Sequence, residues 1–238
     1  MSRDLVVLWD VDRTLLDAGP ATRASLERTV AALLPGTAVG QGPNVTGSTD
    51  RQVLWDLAVA TTADEAACEP LVLAMLDRLR EEMHAAAGDI LAGGSVLPGV
   101  REVLRGLRPY AAVQTVVTGN LRENAELKLR LFGLADELDL AAGAYGCEER
   151  DRTALVALAR DRVAERLGRR PDPTRTWIVG DTPRDLACAR AYGLRCALVA
   201  TGLYGVADLA PLGPDAVLAD LSDVDAVVGL LTSATTPA

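Results

Sequence analysis

Leu5-Val6-Val7-Leu8-Trp9-Asp10-Val11-Asp12-Arg13-Thr14-Leu15-Leu16 is the stretch of sequence that decides the fold. Its run of five apolar residues is typical of a strand buried on both faces, as in parallel sheets. Two aspartates follow at once, although aspartate is a poor strand residue and is costly to bury without a partner. In open α/β sheets, ligands bind at the carboxyl ends of strands. The stretch therefore predicts a buried strand that ends at a ligand site, most simply a cation site. The alternative, one aspartate capping a helix and one in a turn, accounts for a single aspartate better than for the pair.

Strands and helices alternate along most of the remaining chain. The strands are predicted at 113–118, 138–142, 176–180, 196–200 and 216–219, and the helices at 100–108, 123–132, 152–167 and 186–192. Such alternation indicates βαβ units with right-handed crossovers. We therefore predict an α/β fold with a Rossmann-like parallel sheet.

Residues 16–94 interrupt this alternation. Apolar residues recur there with helical spacing over 21–34, after Thr49 or Asp50, and over 65–87, and no strand is convincing. Segments rich in turn residues follow at 40–50 and at 88–99, the second of which is predicted to be a linker. We predict a helical cap domain, 16–94, inserted into a core domain of 1–15 and 95–238. The tail from Thr232 is expected to be disordered.

The composition argues against several classes of protein. The chain has 238 residues, of which 49% are hydrophobic, so it can build a sizeable core. A formal net charge of −9 argues against binding to nucleic acid or to an anionic membrane surface. The first apolar run is short and ends in acids, and no run reaches the roughly 18 residues of a membrane span. Neither a signal peptide nor a transmembrane segment is therefore expected.

Four cysteines lie far apart in the sequence and form no Cys-x-x-Cys pair: Cys68, Cys147, Cys188 and Cys196. This spacing is typical of reduced, mostly buried thiols, and we expect a cytoplasmic protein that is a monomer or a homodimer. The single histidine, His84, cannot form a histidine-based triad or a zinc site by itself.

Two later strands are also predicted to end in polar residues. Thr118-Gly119-Asn120 offers a hydroxyl and backbone N–H groups that suit a phosphoryl group, although the same three residues can be an ordinary turn. Gly180-Asp181-Thr182-Pro183-Arg184-Asp185 places one aspartate at a strand end and another in the first turn of a helix. Asp185 has an alternative as a helix cap or as a partner of the helix dipole.

These strand ends are expected to meet at one edge of the sheet. Asp10, Asp12 and Asp181 would then form a site with three or four carboxylates once Asp185 is included. Crowded like charges require a hard divalent cation with oxygen ligands. Mg²⁺ suits such a site, because it binds one or two carboxylates together with a substrate phosphate and waters.

Asp10-Val11-Asp12-Arg13-Thr14-Leu15 resembles the first signature of the haloacid dehalogenase superfamily, Asp-x-Asp-Gly-Thr. Thr118 resembles the second signature, and the stretch 180–185 resembles the fourth, Gly-Asp-x-x-x-Asp. The resemblance spans most of the chain and, from the position and length of the cap, is to the phosphoglycolate-phosphatase-like branch. It implies a phosphohydrolase with Mg²⁺ held by Asp10, the backbone carbonyl of Asp12 and Asp181, with Asp185 in support.

The roles implied by this resemblance predict a mechanism. Asp10 would attack phosphorus and become an aspartyl-phosphate, and Asp12 would protonate the leaving alcohol and later activate water. Mg²⁺, Thr118 and a cation would stabilise the charge on the phosphoryl oxygens. Haloacid dehalogenases of the superfamily lack the second aspartate, so Asp12 favours phosphoryl transfer.

The chain departs from the family pattern at two places. Arg13 stands where glycine is usual, and its side chain is expected to point to the cap or the phosphate, or to crowd the site. The usual third-signature lysine is missing, and Arg152, at the start of a long helix, fits its place best. Lys128, the only lysine, is expected more than about 10 Å from the site, because it lies ten residues beyond Thr118 and a helix rises about 1.5 Å per residue. We therefore predict a structural or surface role for Lys128.

The expected activity is hydrolysis of a small soluble phosphate ester. Substrate contacts are predicted for Thr118, Gly119, Asn120, Arg13, Ser48 and Thr49, with Thr46 and Asp50 as further candidates in the cap loop. Thr49 and Asp50 have an alternative as N-caps of the next helix. The alternatives in function are a phosphomutase of the β-phosphoglucomutase type, a haloacid dehalogenase, and a non-catalytic phospho-acceptor or metal-sensing module.

Overall fold

The structure of the chain is a computed structural model, and it describes residues 5–40, 46–62 and 64–233. Eight strands lie within these residues: β1 (Leu5–Trp9), β2 (Leu16–Asp17), β3 (Ser95–Val96), β4 (Ala111–Thr118), β5 (Ala144–Tyr145), β6 (Thr176–Gly180), β7 (Arg195–Val199) and β8 (Ala216–Leu218). The same residues form ten α-helices: α1 (Pro20–Leu33), α2 (Asp50–Thr61), α3 (Glu65–Ala85), α4 (Ala87–Gly93), α5 (Val100–Leu107), α6 (Arg122–Leu131), α7 (Arg152–Leu167), α8 (Pro183–Ala191), α9 (Val206–Leu209) and α10 (Val224–Thr232).

Six of these strands form one parallel sheet in the order β5-β4-β1-β6-β7-β8. Strand β1 lies between β4 and β6, and all five of its residues are fully buried. Val7 and Trp9 belong to the core on one face of the sheet, and Val6 and Leu8 to the core on the other. Helices cover both faces, which explains why β1 is apolar throughout rather than alternating. The predicted α/β fold with a parallel sheet is confirmed.

Helices α1–α4 are inserted between β1 and α5, and α3 packs against both α1 and α2. Strands β2 and β3 pair antiparallel through Leu16 with Val96 and Asp17 with Ser95. The chain therefore leaves the core and returns to it at one place. These two short strands lie at the boundaries predicted between the core (1–15 and 95–238) and the cap (16–94), and that division remains a prediction.

Three local predictions need correction. The segment 88–99 is not a linker throughout, because α4 occupies Ala87–Gly93; Ile90 is buried there, and burial of this side chain offsets the low helix propensity of the glycines. The stretch 138–142 contains a 3₁₀ turn, Leu140–Ala142, and the strand follows it at Ala144–Tyr145. Thr232, the expected start of a disordered tail, is the last residue of α10, and residues 234–238 lie outside the described part of the chain.

Candidate active site

Three neighbouring strands end in the predicted polar residues. Asp10 follows β1, Thr118 ends β4, and Asp181 follows β6. The backbone N–H of Asp10 donates to the carbonyl of Val179 at 2.9 Å, which continues the pairing of β1 with β6 to the edge of the sheet. Because β1 separates β4 from β6, these ends surround the point at which the order of the strands reverses, where ligands bind in such sheets.

Three buried carboxylates converge at this edge. Asp10, Asp181 and Asp185 each place an oxygen within 4.8 Å of the others. Asp185 lies in the first turn of α8, where its Oδ2 accepts from the backbone N–H of Thr182 at 3.0 Å and from its hydroxyl at 2.7 Å. The alternative prediction for Asp185 is confirmed, because it caps its own helix with one oxygen, while the other faces Arg152.

The electrostatics of this cluster favour a bound cation. Burial, followed by the charges of Asp10 and Asp185, raises the pKa of Asp181 to about 8. Burial also raises the pKa of Asp10 to about 6, although the charge of Arg152 opposes this rise. Three desolvated carboxylates disfavour one another in their charged forms. An all-oxygen set of this kind fits a hard divalent cation such as Mg²⁺.

Arg152 is the cation that the structure places against these carboxylates. It begins α7 after the N-cap Asp151, and its Nη2 lies 3.0 Å from Oδ1 of Asp10 and 2.6 Å from Oδ1 of Asp185. Its Nη1 donates to the carbonyl of Gly47 at 3.1 Å. Burial lowers the pKa of Arg152, but the charges of Asp10 and Asp185 outweigh burial and hold it above the ordinary value.

The predicted position of Lys128 is wrong. Its Nζ lies 2.9 Å from Oδ1 and 2.7 Å from Oδ2 of Asp12, and its side chain is fully buried. Two facts explain the error. Helix α6 begins only at Arg122, after the turn, so fewer residues of helix separate Lys128 from the site. The Cβ atoms of a helix also point toward its N-terminus, and a lysine side chain extends several ångströms in that direction.

Asp12 lies apart from the three clustered carboxylates. Besides Lys128, its carboxylate accepts from Nδ2 of Asn120 at 2.7 Å, and its side chain is 36% exposed. Asn120 in turn accepts from Lys128 at 2.7 Å through Oδ1 and donates to the hydroxyl oxygen of Thr118 at 2.9 Å. The second and first signature stretches are therefore joined by direct hydrogen bonds around one buried ammonium group.

The turn after β4 is tightly enclosed by the inserted segment. A Cβ on Gly119 would lie 2.2 Å from the carbonyl oxygen of Ser48, so only glycine fits there. The backbone N–H of Asp50 donates to the carbonyl of Gly119 at 2.7 Å, and Oδ2 of Asp50 accepts from the backbone N–H of Leu121 at 2.9 Å. These two hydrogen bonds, which we call the Asp50 clasp, fix α2 to this turn.

The loop before α2 contains the other predicted substrate contacts. Thr49 is the N-cap of α2, accepting from the N–H of Gln52 at 3.0 Å, and its hydroxyl donates to the carbonyl of Arg150 at 2.9 Å. The N-cap alternative for Thr49 is therefore correct. Residues 41–45 of the turn-rich segment lie outside the described part of the chain.

Arg13 has the one positive φ, 61°, among the non-glycine residues that the structure describes. This left-handed conformation accounts for the glycine that the family signature has at this place. The side chain is 52% exposed and its Nη1 lies 2.7 Å from Oδ2 of Asp17. Arg13 therefore points toward the inserted helices rather than at the carboxylate cluster.

A cavity of about 250 Å³ lies beside Asp12. Residues of the core and of the inserted helices both line it, among them Asp12, Asn120, Asn124, Thr22, Leu79 and Met83. We call it the Asp12 cavity. Arg152 and Ser48 belong to the lining of a separate cavity of about 340 Å³.

The chain is similar in sequence to a known family. The sequence model of haloacid dehalogenase-like hydrolases matches residues 7–199. The chain is 30% identical to the plasmid phosphoglycolate phosphatase of Cupriavidus necator, in an alignment that covers 96% of this chain and 93% of the relative. It is 26% identical to the phosphoglycolate phosphatase of Synechococcus elongatus over 92% of this chain and 94% of the relative.

Solved structures share the fold. CbbY from Rhodobacter sphaeroides in complex with phosphate has a TM-score of 0.68 at 19% identity, covering 92% of this chain and 95% of that chain. A phosphatase from Clostridium acetobutylicum, described as predicted, has a TM-score of 0.69 at 16% identity, covering 95% of this chain and 99% of that chain. At such identities the likeness concerns the fold alone.

These comparisons confirm the resemblance inferred from the sequence motifs, including its phosphoglycolate-phosphatase-like branch, and the predicted enzyme class, a phosphoric monoester hydrolase. Within residues 5–40, 46–62 and 64–233, none of the helices has the length and apolar character needed to cross a bilayer.

Proposed function

The chain belongs to the haloacid dehalogenase-like hydrolase family, and on that premise we propose that it is a Mg²⁺-dependent phosphatase acting through an aspartyl-phosphate on Asp10. The observation that carries the proposal is the position of Asp10. Its carboxylate lies among two further buried carboxylates and 3.0 Å from the guanidinium of Arg152. The residues proposed as nucleophile, as cation ligands and as phosphate clamp thus lie next to one another.

The metal is proposed to be held by Asp10 and Asp181, with the backbone carbonyl of Asp12 as a further ligand and Asp185 in support. The mutual approach of three carboxylates supports this assignment, because the single charge of Arg152 offsets only one of theirs. When bound, Mg²⁺ would orient the phosphoryl group and neutralise part of its negative charge.

The proposed first step is attack by a carboxylate oxygen of Asp10 on phosphorus. A P–O bond to Asp10 forms while the P–O bond to the alcohol breaks. Arg152, whose Nη2 lies 3.0 Å from Oδ1 of Asp10, is proposed to keep this carboxylate in place and to turn N–H groups to the phosphoryl oxygens once the substrate is bound. Negative charge that develops on those oxygens would thereby be stabilised by N–H groups of Arg152.

Asp12 is proposed to transfer the protons. It would give a proton to the departing alkoxide, and it would later take one from the water that attacks the aspartyl-phosphate, which releases phosphate and restores Asp10. The hydrogen bonds from Lys128 and Asn120 support this role, because they hold a single side-chain conformation of Asp12 beside a cavity.

The phosphoryl oxygens are proposed to contact the hydroxyl of Thr118 and the turn formed by Gly119 and Asn120. Arg13, Ser48 and Thr49 remain proposed substrate contacts. The substrate is proposed to be a small phosphorylated metabolite, in keeping with a cavity of about 250 Å³. Two of the relatives described above are phosphoglycolate phosphatases, and phosphoglycolate is one member of this class. The cytoplasmic location and the monomeric or homodimeric state remain predictions.

The proposal can be tested by phosphate release from para-nitrophenyl phosphate, with Mg²⁺ and with chelator, for wild type and Asp10→Asn. We expect turnover that requires Mg²⁺ and is lost in Asp10→Asn. Asp77→Asn is a matched control, because this carboxylate is 74% exposed on α3. In Asp12→Asn, an acid-stable phosphoryl adduct on Asp10 should accumulate and be detected by mass spectrometry after proteolysis.

Three results would contradict the proposal. Turnover that persists in Asp10→Asn at the wild-type rate would remove the aspartyl-phosphate from the mechanism. A wild-type protein that is labelled on Asp10 but releases phosphate only once would instead indicate a phospho-acceptor module. Transfer of the phosphoryl group to an added sugar phosphate, rather than to water, would indicate a phosphomutase.

A further inference from the structure

We propose that the Asp12 cavity binds the leaving group of the substrate and selects a neutral, hydroxyl-bearing alcohol over one that carries a second anionic group. The proposal rests on the function proposed above. If Asp12 gives its proton to the departing oxygen, that oxygen lies beside Asp12, and the rest of the leaving group extends into the cavity that Asp12 lines.

The arginines that line this cavity are already bound to other groups. Arg13 is paired with Asp17 at 2.7 Å. Arg23 lies 2.7 Å from Oε1 of Glu27 and donates to two backbone carbonyls, of Val39 at 2.6 Å and of Gly40 at 2.7 Å. A carboxylate or phosphate on the leaving group would have to displace these partners before it could form its own ion pair.

The remaining charges make the cavity still less suited to an anion. Asp12, Asp17 and Asp50 all line it, so carboxylates outnumber the two arginines. Lys128, the other nearby cation, is bound to both oxygens of Asp12. An entering anion would lose its hydration without meeting a net positive charge in return, because the three carboxylates balance the two arginines and Lys128.

Neutral groups in the cavity, in contrast, lack partners. Oδ1 of Asn124 and Oγ1 of Thr22 are enclosed and have no hydrogen-bond partner among the residues that the structure describes. Asn124 is only 1% exposed. A buried polar atom without a partner is rare and costly, so either atom would gain a partner if its side chain turned to meet a hydroxyl group of a ligand in the cavity. Leu26, Leu79 and Met83 provide an apolar wall beside them.

A matched pair of substrates tests the proposal. Phosphoglycolate and 2-hydroxyethyl phosphate have the same two-carbon skeleton. The first ends in a carboxylate and the second in a CH₂OH group. With Mg²⁺ present, we expect kcat/KM for 2-hydroxyethyl phosphate to exceed that for phosphoglycolate about tenfold or more. A preference for phosphoglycolate would overturn the proposal. Absence of Mg²⁺-dependent phosphate release from para-nitrophenyl phosphate would instead overturn the proposed function on which it rests.

A change of one carboxylate tests the role of charge. Asp17→Asn keeps an acceptor for the N–H of Gly19 but removes the anion paired with Arg13. The ratio of kcat/KM for phosphoglycolate to that for 2-hydroxyethyl phosphate should rise about fivefold or more. Asp56→Asn is the control, since Asp56 is exposed on α2 and outside the cavity lining, and it should leave the ratio unchanged. An unchanged ratio in Asp17→Asn would count against selection by charge.

Two further variants test the hydroxyl contact. n-Propyl phosphate matches 2-hydroxyethyl phosphate in length but ends in a methyl group. Wild type should prefer the hydroxyl-bearing ester, and Thr22→Val and Asn124→Leu should each lose that preference, measured as the ratio of kcat/KM for the two esters within each variant. Thr22→Ser keeps a hydroxyl and should retain the preference. A preference that survives both Thr22→Val and Asn124→Leu would exclude these residues as the selecting groups.

Discussion

The ammonium group of Lys128 lies 2.7 Å from Oδ2 of Asp12, although 116 residues separate the two in the sequence. Lys128 is fully buried and Asn120 bridges it to the same carboxylate. Two charge-assisted hydrogen bonds and one amide contact thus fix the rotamer of the proposed proton donor. In the proposed mechanism Lys128 would act as a positioning residue, because its ammonium group binds Asp12 and Asn120.

Replacement of Lys128 should therefore affect the enzyme according to the leaving group. Lys128→Met should lower kcat/KM for 2-hydroxyethyl phosphate about tenfold or more and that for para-nitrophenyl phosphate much less, because nitrophenolate needs little help from a proton donor. Steady-state kinetics with both esters measure the difference. Arg130→Met is the control, an exposed cation on the same helix. Equal losses for both esters would point to a general structural role.

Arg152 should contribute to both stability and catalysis. Arg152→Met leaves Asp10 and Asp185 without their buried cation, and we expect a loss of about 3–5 kcal/mol in metal-free unfolding free energy. We also expect kcat of Arg152→Met to fall about 100-fold or more. Arg152→Lys keeps a positive charge and should retain part of the stability and part of kcat. Urea unfolding and kcat measure the two effects. Arg166→Met is the control, because Arg166 is exposed on the same helix, and it should change neither stability nor kcat. A kcat close to wild type in Arg152→Met would refute the proposed role of Arg152 as a phosphate clamp.

Asp181 should make the metal-free protein sensitive to alkaline pH. Its folded-state pKa is about 8, above the ordinary 3.8, so the folded protein holds a proton between these values that the unfolded chain releases. Stability from this group is thus fully present below about pH 4 and is lost as the pH rises through about 8. With chelator at pH 9, Asp181→Asn should be more stable than wild type by on the order of 3 kcal/mol, with little difference near pH 4.

Thermal unfolding across this range measures the effect, with Asp77→Asn as the control carboxylate. Mg²⁺ at pH 8 should raise the melting temperature of wild type and not that of Asp181→Asn, because ligand binding stabilises only a protein that retains the site. Equal stabilisation of both proteins by Mg²⁺ would remove Asp181 from the metal site.

Arg13 should carry a conformational cost that glycine avoids. At φ 61°, Arg13→Gly should be more stable than Arg13→Ala by about 1 kcal/mol, since both lose the ion pair with Asp17 but only alanine keeps the strained backbone. Chemical denaturation of the two variants gives this difference directly. If Arg13→Ala is as stable as Arg13→Gly or more stable, that result would contradict the left-handed conformation of residue 13.

The core and the carboxylate cluster could be predicted because they depend on local patterns. A fully apolar β1, followed by aspartates, and the similar end of β6 each indicate a buried strand with a ligand at its end, and Asp10 and Asp181 do converge there, whereas the side chain of Asp12 lies apart. The order of the signatures along the chain predicted that Arg152 replaces the usual lysine, and Arg152 does lie beside Asp10.

What the sequence could not reveal depends on contacts between distant segments. The distance from Lys128 to Asp12 is set by the direction of α6 and of a long side chain, which a count of residues along the helix cannot supply. The presence of a single lysine among many arginines was the one signal that could have identified it. The role of α4 was likewise hidden, because packing of Ile90 decides a segment whose glycines suggest a linker.

The Asp50 clasp gives the inserted helices a direct hold on the turn that is proposed to receive phosphate. One bond of the clasp ends on the carbonyl of Gly119 and the other starts at the N–H of Leu121, on either side of Asn120. Movement of α2 away from the core would break both bonds and free that turn at the same moment. If the proposed function is correct, an opening of the inserted helices that lets product escape would therefore also loosen the turn that holds the phosphate.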